Sequence, residues 1–121
     1  MKYMLLIYGN EERWASVGRE EFERIVAETD ALNRELFESG ELVGAYGVAD
    51  QVNAKVVRVD DRGVPVVSDG PYAEAKEYLG SFTIVDCENL ERALEIAARN
   101  PAARYVGVEV RPLMHEADVG S

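Results

Sequence analysis

The sequence predicts an α+β fold: a split βαβ antiparallel sheet with both helices on one face and a β-hairpin inserted before its third strand. Three observations predict it. The hydrophobic period switches between two and about 3.6 residues so as to give the order β-α-β-(hairpin)-β-α-β along 121 residues. Two helices can cover only one face of such a sheet. Yet Met4, Leu6 and Tyr8 on the first strand and Tyr105 near the last make the other face too apolar for open water. A second copy of the chain is the economical cover. The expectation is therefore a homodimer whose two sheets form a barrel-like shell around a cavity.

Each element has its own signal. Residues 2–8 are rich in Tyr, Leu and Ile and are apolar on both alternating faces, Tyr3/Leu5/Ile7 and Met4/Leu6/Tyr8, before the turn signal Gly9-Asn10. Residues 11–18 are polar apart from Trp14 and Val17 and read as a loop or short helical turn. From Arg19 a helical stripe of Phe22, Ile25, Val26, Thr29, Leu32, Asn33, Leu36 and Phe37 begins, with Glu20, Glu21 and Glu23 at its start and Gly40 where a left-handed cap belongs. Residues 42–48 read as a strand, and 55–59 and 64–67 as a hairpin around Asp60-Asp61-Arg62-Gly63. Asp69-Gly70-Pro71-Tyr72 is a turn, with a short helical turn expected over 73–77. Residues 78–85 form a strand with Phe82 and Ile84 on one face and Thr83 and Val85 on the other. Asn89 caps a second helix with the stripe Leu90, Ala93, Leu94, Ala97, which Asn100-Pro101 stops. Residues 104–111 are expected as the final strand, with Tyr105, Gly107, Glu109 and Arg111 on one face.

The composition is that of one globular domain, 47% hydrophobic and 30% charged, expected over residues 1–114 with a flexible tail at 115–121. Thirteen Lys+Arg against twenty-three Asp+Glu give a formal charge of −10, which excludes a phosphate-tracking nucleic-acid binder. The longest apolar run, residues 4–8, is too short for a bilayer span, and no secretion signal is readable, so a cytoplasmic protein is expected, away from membranes. Cys87 stands alone and His115 is the sole histidine, so neither a disulfide within the chain nor a Cys- or His-built metal site is expected. Ser68 and Ser81 have no other His for a Ser–His–Asp triad, and Cys87 reads as a small buried hydrophobe. The glycines form neither GxGxxG nor a P-loop, and no cofactor is expected.

Chemistry concentrates in two places. Residues 69–77 carry Asp69, Glu74, Lys76 and Glu77, which read either as a structural turn or as a site with Asp69 as base, Lys76 holding an anion and a glutamate assisting. A carboxylate serves as general base near neutrality only if burial or a neighbour raises its pKa. Glu109 and Arg111 lie two residues apart on a strand, so they share a face and point into the expected cavity. They form either an ion-pair network across the subunit interface or a ligand clamp in which Arg111 holds a carboxylate bidentately. Tyr8 can bring a hydroxyl to the same space or simply pack there. Trp14, beside Glu11-Glu12-Arg13, stands where a loop would roof a pocket.

Three separated segments resemble a known family. The opening Met1-Lys2-Tyr3-Met4-Leu5-Leu6-Ile7-Tyr8 is similar to its start. Ser68-Asp69-Gly70-Pro71-Tyr72-Ala73-Glu74-Ala75-Lys76-Glu77, continued by Leu79-Gly80-Ser81-Phe82, resembles its DGPF signature, and Glu109-Val110-Arg111-Pro112 its closing strand. Together they resemble the DGPF branch of the YCII-related family. Tyr72 stands where that signature usually has Phe, keeping the ring and adding a hydroxyl. The resemblance implies a bacterial, ferredoxin-like dimeric α+β barrel, and no established reaction. The wider group includes enzymes with a His–Asp pair, among them dehalogenases of lactones, but no His precedes His115 here to take that role. Some DGPF proteins are associated with sigma factors, which for an acidic chain means protein contact and not DNA contact.

The reading that results is a small-molecule-binding protein with its site in an intersubunit cavity. As an enzyme it would run a cofactor-independent proton transfer or elimination on a polar, anionic organic substrate. Asp69 or Glu109 would move the proton, Arg111 and Lys76 would hold negative charge, and Tyr8 and Tyr72 would contact the substrate. The residues leave open whether catalysis occurs at all. The alternative is a non-catalytic regulatory module whose acidic surface recruits a basic protein such as a sigma factor. A structural dimer without ligand is the third.

Overall fold

In the computed structural model, residues 1–69 and 77–120 are described. Strand β1 spans Lys2–Asn10, and Asn10 Oδ1 accepts the Arg13 backbone N–H at 3.2 Å to start the short helix α1, Glu11–Ala15. Helix α2, Arg19–Ser39, has Glu20 and Glu21 in its first turn and stops at Gly40, whose φ of 84° lets its N–H reach the Leu36 and Phe37 carbonyls. Strand β2, Leu42–Gly47, leads through a 3-10 turn at Gln51–Asn53 to the hairpin β3, Val56–Val59, and β4, Pro65–Ser68. Asp60 Oδ1 ties the hairpin turn, taking the Arg62 and Val64 backbone N–H groups at 2.9 Å each. Strand β5 is Glu77–Asp86, α3 is Leu90–Arg99 with Asn89 Oδ1 capping the Arg92 N–H at 2.9 Å, and β6 is Glu109–Pro112.

The main sheet has the order β2-β5-β1-β6 with every neighbour antiparallel, which is the ferredoxin-like arrangement the sequence predicts, and β3-β4 form a separate two-stranded sheet. Tyr3 and Leu5 from β1, Leu32 and Leu36 from α2, Val85 from β5, and Ala93, Ile96 and Ala97 from α3 belong to one buried cluster. Since Tyr3 and Leu5 are two apart, one face of the sheet receives both helices. Arg92 of α3 seals the edge of this layer: its Nε and Nη2 bond the two Glu41 oxygens at 2.9 and 2.8 Å.

The opposite face is read from the register. Met4 sits between Ile84 and Arg111, and Leu6 between Phe82 and Glu109, so these six side chains share the uncovered face. Tyr46 of β2 joins them, its ring centroid 5.3 Å from that of Phe82. The apolar second face predicted from Met4, Leu6 and Tyr8 is present.

Two expectations are corrected. The last strand does not begin at Arg104. Asn100 Oδ1 caps the Ala102 N–H at 2.9 Å, which starts a 3-10 turn over Pro101–Arg104, and the strand is delayed to Glu109. Tyr105 is accordingly not on the sheet face: its ring packs on Trp14 at 5.7 Å and its hydroxyl donates to Glu21. The stripe of α2 is also narrower than its periodicity, with Ile25, Leu32 and Leu36 buried but Phe22, Val26 and Phe37 exposed. Residues 11–18, read as a loop or short helical turn, hold the five-residue helix α1. Beyond β6 the chain stays beside β1, where the Leu113 N–H meets the Lys2 carbonyl at 2.9 Å and Lys2 Nζ pairs with Glu116 at 2.8 Å.

Candidate functional site

The site is organised by an irregularity between β1 and β5. Pairing runs evenly from Lys2–Asp86 to Ile7–Ser81, then skips Gly80, so Tyr8 lies opposite Leu79. The extra residue is on β5, which a bulge bends locally, while β1 keeps its alternation. Tyr8 therefore stays on the face of Met4 and Leu6, just past the bulge.

Tyr8 meets the strand β6 pair there. Its hydroxyl lies 3.3 Å from Glu109 Oε1, and Arg111 Nε lies 3.0 Å from the same oxygen. Glu109 and Arg111 thus pair with each other within one chain. Glu109 and Arg111 side chains keep 40% and 65% of their exposure, so the pair remains open to a ligand or a second chain.

The other side of Tyr8 borders a cavity of about 370 Å³. Its apolar wall is Val48, Ala49, Ala54 and Val56 from the segment between β2 and β4, with Leu79 from β5. Tyr78 also lines it, and the Tyr78 ring depends on Gly9 across the strand pair: a Cβ there would lie 2.4 Å from Tyr78 Cε2. Asp69 and Glu77 put two carboxylates on the border. A smaller polar cavity of about 180 Å³ adjoins, lined by Asn10, Arg13 and Val106 and again by Tyr8 and Glu77.

Asp69 is paired with Lys55 Nζ, and that hydrogen bond holds its carboxyl below the usual carboxylate range. The pairing works against Asp69 as general base, which needs the opposite shift, and suits it as a fixed charged acceptor. Among the described residues no hydrogen bond joins Asp69 to Glu109 or Arg111; Tyr8 is what borders both. Tyr72 and Lys76 lie outside the described residues, as does the expected helical turn over most of 73–77. Trp14 braces Tyr105 and does not line either cavity. Burial pushes the Cys87 thiol up, consistent with a packed thiol and not a nucleophile. Among the described residues no group of three His, Cys, Asp or Glu is placed to hold a metal, and no helix is long and apolar enough to cross a membrane.

Sequence reasoning missed Asn10 and Tyr78, and it placed Arg13 only beside Trp14 in a loop that would roof a pocket. Asn10 carried a signal only as a turn residue, and Tyr78 becomes a wall only through its register with Gly9.

The model of the YCII-related domain matches residues 1–116. An uncharacterised protein of Rhizobium meliloti (strain 1021) is 34% identical over 117 residues, covering 93% of this chain and 92% of that protein. Among solved structures, 5-chloro-2-hydroxyhydroquinone dehydrochlorinase (TftG) from Burkholderia phenoliruptrix AC1100, in complex with 2,5-dihydroxybenzoquinone, gives a TM-score of 0.50 at 12% identity over 96% of both chains. At that identity the likeness is one of fold.

Proposed function

The chain belongs to the YCII-related family, and from that premise we propose that it is a small-molecule-binding protein with its site in the cavity beside Tyr8. The observation that carries the reading is the double position of Tyr8, whose ring lines the apolar cavity while its hydroxyl bonds Glu109. An apolar concavity with a few convergent polar groups is the usual form of a small-ligand site. The fold-level likeness to a dehydrochlorinase adds the class of chemistry, by analogy alone.

Used as an enzyme, the site would carry out cofactor-independent proton transfer or elimination on a polar, anionic organic substrate. A substrate proton passes to the Tyr8 oxygen as the Tyr8 proton passes to Glu109. In an elimination the leaving group departs with its bonding electrons as an anion, toward the positive charge of Arg111. Tyr72 and Lys76 belong to the proposal as substrate contacts and Asp69 as an acceptor on the rim. A second copy of the chain covers Met4, Phe82 and Ile84 and closes the site from the sheet side.

The test is titration calorimetry with 2,5-dihydroxybenzoquinone, together with chloride release from 5-chloro-2-hydroxyhydroquinone. Saturable binding that weakens in Tyr8→Phe supports the site. Binding without chloride release keeps the site and removes the elimination. A folded protein that neither binds the quinone nor releases chloride overturns the reading.

A further inference from the structure

The two cavities share the residues that separate them. Tyr8 and Glu77 line both, so the apolar space and the polar space meet at those two side chains. The larger chamber is walled mainly by aliphatic groups, with Tyr78 also lining it and two acceptor carboxylates, Asp69 and Glu77, on its rim. The smaller chamber holds the guanidinium of Arg13, which is fixed at both ends: its backbone N–H bonds Asn10 Oδ1 at 3.2 Å and its Nη1 bonds the Tyr105 carbonyl at 2.9 Å. A guanidinium has five N–H donors, and only one of the Arg13 side-chain donors has a partner among the described residues.

From this arrangement we infer that the two chambers form one site for a hydroxylated aromatic carboxylate. The ring occupies the apolar chamber, a ring hydroxyl donates to Glu77 or Asp69, and the carboxylate passes between Tyr8 and Glu77 to Arg13. Each polar group has a use under this assignment. Carboxylate acceptors on an apolar rim suit a hydroxyl donor on the ligand, and a clamped arginine with spare donors suits a planar anion. Arg13 also offsets the charge of Glu77, without which a ligand carboxylate would enter against a like charge. The inference rests on the larger chamber being a ligand site and adds the second chamber and the acid group.

The experiment compares 3-hydroxybenzoate with phenol, the same ring and hydroxyl without the acid, by NMR titration of the full chain. The expected result is a preference of about tenfold for the acid, the scale of one charge-assisted pair. In Arg13→Gln that preference inverts, because Glu77 then faces the carboxylate unopposed, and Arg13→Lys restores part of it. Melting curves of the three proteins check that they are folded. If phenol binds and the acid shows no advantage, or the preference survives Arg13→Gln, the inference fails while the ligand site stands. If neither compound binds, the inference fails, and the quinone titration decides the ligand site by itself.

Discussion

The Tyr8 hydroxyl lies 3.3 Å from Glu109 Oε1, bridging β1 and β6 at the end of the sheet where the cavity opens. A tyrosine so placed takes part in the wall and in the charge network at once. Removing only the hydroxyl separates the two roles. Tyr8→Phe is expected to change folding stability by no more than about 1 kcal/mol, since the bond is exposed. It should weaken binding of polar ring compounds and abolish any proton transfer through Glu109. Urea unfolding and titration of the same sample check both halves.

Gly9→Ala tests the wall. The new Cβ would overlap the Tyr78 ring at 2.4 Å, and the ring is the far end of a rotatable side chain. The protein should fold with a loss of about 1 kcal/mol or less, because the ring can swing aside. Ring-probe affinity should fall severalfold because the displaced ring reshapes the cavity. An unchanged affinity would remove Tyr78 from the site.

The Glu41–Arg92 pair sets a pH dependence. Hydrogen bonding to Arg92 lowers the Glu41 pKa from its ordinary 4.5 in the folded state. A carboxyl with a depressed folded pKa stabilises the fold fully above its unfolded value and loses that contribution as pH falls through the folded one. Stability should therefore drop as pH falls below about 4.5, the ordinary Glu value, and Glu41→Gln should flatten that part of the profile. Denaturant midpoints between neutral pH and pH 3 check the sign.

Ile96 and Phe37 form a contrast in packing. Ile96 is 1% exposed in the cluster under both helices, whereas Phe37 is 73% exposed on α2. Ile96→Ala should cost about 2–5 kcal/mol through lost burial and a cavity. Phe37→Ala should stay within about 0.5 kcal/mol unless a partner chain covers it. Chemical denaturation of both variants measures the gap.

The open sheet face predicts self-association. Ile84→Lys places a charge among Met4, Leu6 and Phe82 while leaving the helix-side core untouched. Sedimentation should show twice the monomer mass for the natural sequence and the monomer for the variant. A natural sequence that stays monomeric at high concentration would remove the intersubunit cavity from the proposal.

Much of the architecture was legible because local pattern and tertiary packing agree. Leu32 and Leu36 against Tyr3 and Val85 follow directly from two periods meeting at one face, and Gly40 and Asn89 stop and start helices as expected. The final strand was misplaced because Tyr105, Val106, Gly107 and Val108 alternate like a strand, while the Asn100 cap and Gly107, with φ of 86°, bend the chain first. Phe22 and Phe37 fit the helical period, yet only Ile25, Leu32 and Leu36 of that stripe are buried. The site was half legible. Glu109, Arg111 and Tyr8 could be paired by strand parity, and Glu77 and Arg13 were named, but the skip at Gly80 that sets Glu77 opposite Asn10 and Tyr78 opposite Gly9 is recorded by no periodicity. Tyr72 and Lys76 stay as sequence proposals.

Among the described residues, the segment between β2 and β5 supplies most of the aliphatic wall of the cavity but none of the buried cluster beneath the helices. On the proposed reading, changes in that segment would alter what the cavity accepts while leaving the source of folding stability in place. The segment would then serve as an exchangeable cassette, varied in length or sequence to retune ligand choice on an unchanged chassis.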